Sequence, residues 1–230
     1  MQNTDFSAQL ASLTKKFTPV IDIRFSENDY LLLDLSVKNP DLELINTASA
    51  KDIGIYISEY LINKKALIAY GGYNEKRNIY DRSEYFTKQD SGKKRNIHLG
   101  IDIWCDAGTN VLSALPGKVH SFKDNTNHGD YGPCIILEHS INDLRFYTLY
   151  GHLSRASLSP LIIDTKIESG DVIAQLGQPF ENGDYAPHLH FQIIKDLDRN
   201  HGDYPGVSNN VDLAFYLNNC PDPNLLLKLK

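Results

Sequence analysis

The sequence predicts a mainly β fold, an antiparallel β-sandwich or barrel preceded by an α+β extension, and three observations carry that reading. From residue 97 onward seven short apolar runs follow one another, at 97–103, 110–114, 117–122, 133–139, 144–150, 171–176 and 188–194. Turn-forming residues separate these runs and no helical periodicity lies between them, so strands must connect directly to strands. Ahead of residue 97 the periodicity is mixed, part helical and part strand-like, which divides the chain into an accessory region at 1–94, a β domain at 95–218 and a tail at 219–230.

Taken in order, Phe6, Leu10, Leu13 and Phe17 recur at helical spacing and predict an amphipathic helix over 6–17, ended by Thr18-Pro19. Residues 20–37 read as two strands around the polar turn Ser26 to Asp29, closed by Asn39-Pro40-Asp41. Ile53, Tyr56, Ile57, Tyr60 and Leu61 mark one face of a second helix at about 50–62. No catalytic constellation stands out in this first third. The polar, glycine-bearing stretches 71–77 and 90–94 read as loops leading into the β domain. Within that domain, Asn142-Asp143 between two runs fits a hairpin turn. The triplet Gly-Asp-Tyr occurs at 129–131, 183–185 and 202–204 with unequal spacing, which is recurrent loop chemistry and not a structural repeat. Turn propensity explains it, or some of its tyrosines rim a cleft.

A chain of 230 residues can bury a sizeable core without disulfides. The three cysteines, Cys105, Cys134 and Cys220, are odd in number and far apart, which suits buried thiols and neither a disulfide framework nor a Cys-x-x-Cys metal site. Net charge is −6 with the signs interspersed, and Lys93-Lys94-Arg95 is the one basic cluster, so nucleic acid is not an expected partner. No stretch approaches the roughly 20 apolar residues of a membrane span. The residues after Met1 lack a basic region followed by an apolar run, so the expectation is a cytoplasmic protein. An export route of another kind would place it in the periplasm or outside the cell. The sequence sets no oligomeric state.

Chemistry concentrates in two stretches, 97–103 and 187–191. If they are neighbouring strands, the pleat puts His98, Gly100 and Asp102 on one face, and His188 and His190 likewise on one face. A catalytic zinc takes three ligands from His, Asp, Glu or Cys and keeps a fourth position open. His98, Asp102 and one histidine of the His188-Leu189-His190 triplet make such a set. A helix would also align His98 with Asp102, but Gly100 between β-branched neighbours favours a strand and leaves room beside a metal. His120, His128 and His201 lie in or near polar turns and are read as solvated or hydrogen-bonded side chains, and His139, which ends an apolar run, is left out of the site.

Three segments in this order, His98-Leu99-Gly100-Ile101-Asp102, Tyr150-Gly151-His152-Leu153-Ser154 and Pro187-His188-Leu189-His190-Phe191, resemble the signature segments of the lysostaphin and LytM type zinc endopeptidases, which cut peptide cross-bridges or stems of bacterial cell walls. Between them Ala107-Gly108-Thr109, Gly117-Lys118-Val119, Ser169-Gly170-Asp171 and Leu176-Gly177 also match, so the resemblance spans about 95–195. It implies a β-sandwich of the duplicated hybrid motif type, with His98, Asp102 and His190 as zinc ligands and His152 and His188 as the catalytic pair. The expected activity is hydrolysis of peptide or amide bonds by a metal-activated water, with peptidoglycan peptides as substrate. Which histidine of the pair acts as base is left open. Where many relatives carry small residues before the last segment, this chain has Glu181-Asn182-Gly183-Asp184-Tyr185-Ala186, a bulkier and more acidic approach. With no export leader visible, a second reading is a cytoplasmic zinc hydrolase of a small amide or ester, and a separate third reading is a non-catalytic binding module on the same scaffold. In some relatives an upstream residue blocks the zinc, a role for which Asn74 and Glu75 are candidates.

Overall fold

A computed structural model describes residues 5–22, 24–83, 86 and 94–230. In chain order its helices are α1 (Phe6–Ser12), α2 (Ala50–Lys64), α3 (Leu213–Asn219) and α4 (Asn224–Leu227). The strands begin with β1 (Tyr30–Leu32), β2 (Ile68–Gly71), β3 (Glu75–Lys76), β4 (Ile97–His98), β5 (Ile101–Trp104) and β6 (Asn110–Leu112). They continue with β7 (Gly117–Asn125), β8 (Gly132–Ile141), β9 (Leu144–Gly151), β10 (Lys166–Ile167), β11 (Val172–Gln175), β12 (His188–Ile194) and β13 (Val207–Ser208).

The fold is mainly β. Eight strands form one sheet in the order β1-β2-β5-β12-β9-β8-β7-β10, while β6 pairs with β11 and β4 lies between β3 and β13 in two smaller sheets. Within the large sheet only β1 and β2 run parallel among the described pairs. Along β12 the pleat sends Leu189, Phe191 and Ile193 into the main core, where they meet Val111, Ile173 and Leu176 of the β6–β11 layer, and Leu10 of α1 and Leu226 of α4. His188, His190 and Gln192 therefore take the opposite face. The two ends of the chain close together here, as Thr18 N–H donates to Leu227 O at 2.9 Å and the Thr14 hydroxyl to Leu226 O at 2.7 Å.

All seven expected runs contain strand. The β8–β9 hairpin turns at Asn142 and Asp143, whose φ values of 50° and 63° are those of a type I′ turn. Helix α2 lies where its periodicity places it, with Ser49 as N-cap accepting from Asp52 N–H at 3.1 Å. Four expectations need correction. The stretch 71–77, read as a loop, holds Gly71 of β2 and all of β3. The first helix stops at Ser12, where Leu13 N–H turns to Leu10 O, although Phe17 still packs edge-on to Tyr30 at 5.2 Å. Of the two strands expected at 20–37, only β1 forms; Ile21 makes a single bridge to Val111, the turn becomes a short 3-10 helix at Glu27–Asp29, and Ile23 lies outside the described residues. The run at 97–103 is two strands and not one. It breaks at Leu99-Gly100, so His98 sits in the small β3–β4–β13 sheet and Asp102 in the large one.

Gly100 is the reason that break can bring the two sheets together. A Cβ there would lie 2.6 Å from His190 Cε1 and 2.8 Å from the Phe191 carbonyl oxygen, closer than real side chains pack. The accessory region is built into the same framework. Strand β2, which carries no alternation to betray it, is buried throughout and pairs with β5 through Tyr70 opposite Ile103 and Gly71 opposite Asp102.

Candidate active site

Strand register places the first part of the site. Asp102 of β5 stands directly opposite His190 of β12, and Trp104 opposite His188. His98 arrives from β4, whose neighbours are Glu75 of β3 and Val207 of β13. One ligand-type atom from each of His98, Asp102 and His190 lies within 4.8 Å of the others. His98 Nε2 is 2.8 Å from His190 Nδ1, and both nitrogens are 3.2 Å from Asp102 Oδ1. All three residues are 2% exposed, which removes the solvent that would otherwise screen these groups.

Hydrogen bonds on the outer side fix which atoms face inward. His98 Nδ1–H donates to Gly72 O at 2.9 Å, so Nε2 keeps its lone pair toward the cluster. His190 is held in the opposite sense. Gln192 donates through its amide nitrogen to Pro205 O at 3.1 Å, which turns Oε1 toward His190 Nε2–H at 2.9 Å and leaves Nδ1 facing in. Asp102 gives Oδ2 to Arg77 Nη1 at 2.5 Å and keeps Oδ1 for the cluster. Burial pushes His98 down to about 4, against the pull of the Asp102 anion. Burial alone would raise Asp102, but its interactions with His98, the Arg77 guanidinium and His188 outweigh it and hold the carboxyl well below its usual range.

His152 and His188 form the second part. Their ring centroids are 4.3 Å apart. His152 follows β9 with φ 64°, a left-handed conformation that costs a non-glycine residue, and its backbone is pinned by N–H to Tyr131 O at 3.0 Å. Its Nδ1–H donates to Asn182 O at 2.7 Å, and that of His188 to Ala186 O at 2.7 Å, so each ring presents Nε2. The His188 ring stacks on Trp104, and its Nε2 is 3.7 Å from Asp102 Oδ1. Burial lowers both histidines; the proximity of His188 and His190 drives His152 further down, while Asp102 partly offsets the shift of His188. The structure thus brings together all five residues singled out in the sequence.

A cleft of about 200 Å³ opens on this group. Tyr131, Tyr185 and Tyr204, one from each Gly-Asp-Tyr triplet, line it. Turn chemistry and cleft lining coincide, since Gly129, Gly183 and Gly202 all have positive φ and swing their tyrosines inward. The acidic approach is tightly bonded. Tyr185 packs 4.9 Å from His152 with its hydroxyl on Gly129 O, Asp184 pairs with Arg82 at 3.1 Å, and the buried Asn182 side chain ties Gly177 O to Tyr185 O.

Sequence reasoning missed Arg77. It is 3% exposed and lines the cleft, yet an arginine in a polar loop carries no local signal of burial. Asn74 and Glu75 do not join the metal-type cluster: Asn74 N–H bonds to His98 O, and the Glu75 carboxylate accepts from Arg77 Nε and Leu35 N–H. His139 is fully buried, between Pro116 O at 2.9 Å and the Thr148 hydroxyl at 2.7 Å. His120 and His201 stack on each other with ring centroids 5.2 Å apart, outside the cleft lining. The three cysteines are free thiols. Lys93 of the basic cluster and residues 90–93 of the second loop lie outside the described residues. No helix among the described residues is long and apolar enough to cross a membrane.

The model of peptidase family M23 matches residues 96–203, a stretch just short of half the chain that contains all five site residues. That segment resembles peptidase family M23. Three of the solved structures it is similar to are the catalytic domain of lysostaphin from Staphylococcus simulans, a variant of the catalytic domain of the prophage-encoded M23 protein EnpA from Enterococcus faecalis, and a zinc-containing peptidase from Vibrio cholerae. The first is 20% identical at TM-score 0.41, covering 69% of this chain and 96% of that one. The second is 21% identical at TM-score 0.38, covering 53% and 82%. The third is 26% identical at TM-score 0.35, covering 46% and 29%. No curated protein matches. The M23 segment is embedded in a larger sheet, since β1 and β2 extend it through β5.

Proposed function

We propose that this protein is a zinc-dependent peptidase in which His98, Asp102 and His190 hold the metal and His152 and His188 handle protons, with peptide stems or cross-bridges of peptidoglycan as substrate. The observation that carries the reading is the set of three inward donor atoms within 4.8 Å, inside a segment that resembles peptidase family M23. The residues fit zinc. Two imidazole nitrogens with lone pairs 2.8 Å apart repel each other unless a cation lies between them, and the donor set of two histidines and a carboxylate suits a tetrahedral site with one open position. Each donor is also oriented by an outer hydrogen bond, to Gly72 O, Arg77 or Gln192.

When bound, zinc supplies a lowered pKa of coordinated water, to about 7, and polarisation of the scissile carbonyl. The protein's own groups do the rest. His152 and His188 are held neutral by burial, so each has an Nε2 lone pair that can take a proton from water and return it to the departing amine. Their Nδ1 bonds to Asn182 O and Ala186 O keep Nε2 directed at the cleft and stabilise the imidazolium formed in transit. Tyr131 and Tyr185, packed against His152, narrow the space around it.

The test is to measure zinc in the full chain and to incubate the loaded protein with defined peptidoglycan stem and cross-bridge peptides, reading products by mass spectrometry with His188→Ala as control. About one zinc per chain and new amine and carboxyl termini are expected. A folded protein that cannot be loaded overturns the metal assignment; a loaded protein that leaves every peptide intact overturns the substrate.

A further inference from the structure

We propose that Arg77, which lies outside the M23 segment, is a positioning residue of the metal site, and that Gly72 to Arg77 of the accessory region is thereby part of that site. The inference rests on the reading of His98, Asp102 and His190 as metal ligands and goes beyond it by assigning their support. Two of the three have their outer hydrogen bond from this short stretch. Gly72 O takes the His98 Nδ1 proton, and the Arg77 guanidinium takes one Asp102 oxygen at 2.5 Å.

The guanidinium is gripped from its other edge by Glu75 Oε2, also at 2.5 Å from Arg77 Nε, and lies over the Trp104 ring at 5.7 Å. Backbone bonds fix the stretch to the family segment, with Arg77 N–H on Asn96 O and Asn74 N–H on His98 O. A planar fork can hold two carboxylates at once in fixed directions, whereas an ammonium is a point charge that imposes no such plane. Because Oδ2 of Asp102 is committed, Oδ1 alone faces both histidines, and the carboxylate is set to bind through one oxygen. Charge points the same way. The buried Asp102 and half-buried Glu75 carboxylates against one guanidinium leave a net −1 beside the two histidines, an arrangement that a divalent cation completes.

An ion pair serving the fold alone would share these contacts, so the test reads the metal and not only stability. The full chain is compared with Arg77→Lys, Arg77→Met and Glu75→Gln by zinc titration against a chromophoric chelator and by the visible spectrum of the Co²⁺-loaded protein. Arg77→Lys is expected to fold, to bind zinc roughly 10- to 100-fold more weakly, and to shift the Co²⁺ bands because Asp102 can rotate or bind through both oxygens. Glu75→Gln loosens the other edge of the fork and should move both readouts the same way by less; it carries the test if neither Arg77 variant folds. Wild-type zinc affinity and an unchanged Co²⁺ spectrum in the folded variants overturn the proposal. A wild-type chain that takes up neither metal overturns the ligand assignment itself, an outcome distinct from failure at Arg77.

Discussion

The two sides of the cleft use histidine differently. At the cluster, His98 and His190 turn unlike atoms, Nε2 and Nδ1, toward one carboxylate oxygen, because Gly72 O and Gln192 Oε1 claim opposite ring positions. In the pair, His152 and His188 are alike, each with Nδ1 on a backbone carbonyl and Nε2 free to face the cleft. The cluster is centred on an anion. The pair has none of its own, the Asp102 oxygen standing 3.7 Å from His188 alone. Converging lone pairs around a carboxylate suit a cation, whereas two rings 4.3 Å apart oppose double protonation and so suit one proton at a time.

The largest effect that can break this contrast is His190→Ala. It leaves two donors in place of three, and zinc content after dialysis should fall to background with turnover below detection. Retained zinc would remove His190 from the cluster. His152→Ala and His188→Ala come next. Both should keep about one zinc per chain while kcat falls by roughly 10²- to 10⁴-fold, the usual contribution of a positioned acid or base. Loss of zinc in either would merge the pair with the cluster and end the distinction.

The division was partly legible in the sequence. Residue types and order pointed to the five side chains, and turn residues such as Asn142-Asp143 marked the strands, because left-handed positions restrict composition strongly. Hidden were features that depend on partners distant in sequence. Strand β2 is a four-residue run buried on both faces, indistinguishable locally from the end of α2. Arg77 is buried only because Glu75 and Asp102 close on it. The sequence offers a spacing there and no sign of burial. Glu75 and Arg77 are two apart, hence on one face of an extended segment, but their meeting with Asp102 depends on the fold. The break at Gly100 was likewise visible as a glycine, but its reason, the His190 ring, lies ninety positions on.

Gly100→Ala sharpens the contrast by pressing on the cluster without touching the pair. The added Cβ would meet His190 Cε1 at 2.6 Å and the Phe191 carbonyl at 2.8 Å, and that backbone oxygen belongs to the central sheet. A loss on the order of 3 kcal/mol is expected in chemical denaturation, together with weaker zinc binding. Gly54→Ala in α2 is the control. Its nearest neighbour is Ala186 Cβ at an ordinary 3.5 Å, so helix propensity should raise stability by up to about 1 kcal/mol. Equal behaviour of the two variants would mean that the close approach at Gly100 relaxes freely.

The effect furthest from the cleft's chemistry belongs to His139, a buried histidine that separates burial from function. Burial pushes it down to about 4, as it does His98, yet both its nitrogens are used within the protein, Nδ1–H donating to Pro116 O and Nε2 accepting from Thr148. Neither nitrogen is left for a metal or a substrate. Its folded-state pKa lies below the unfolded value of about 6.5, so the unfolded chain binds the proton more readily. The stability it confers is complete above that pH and is lost as pH falls toward 4. Between pH 8 and pH 5 the loss amounts to about 2 kcal/mol. Urea midpoints at those two pH values, measured for the wild type and for His139→Gln, should differ in their pH dependence by that amount. Every other titratable group is common to both chains, so its contribution cancels in the comparison. An identical pH dependence would show that the His139 ring accepts a proton in place, and that burial with both nitrogens bonded does not by itself keep a histidine neutral in this sheet.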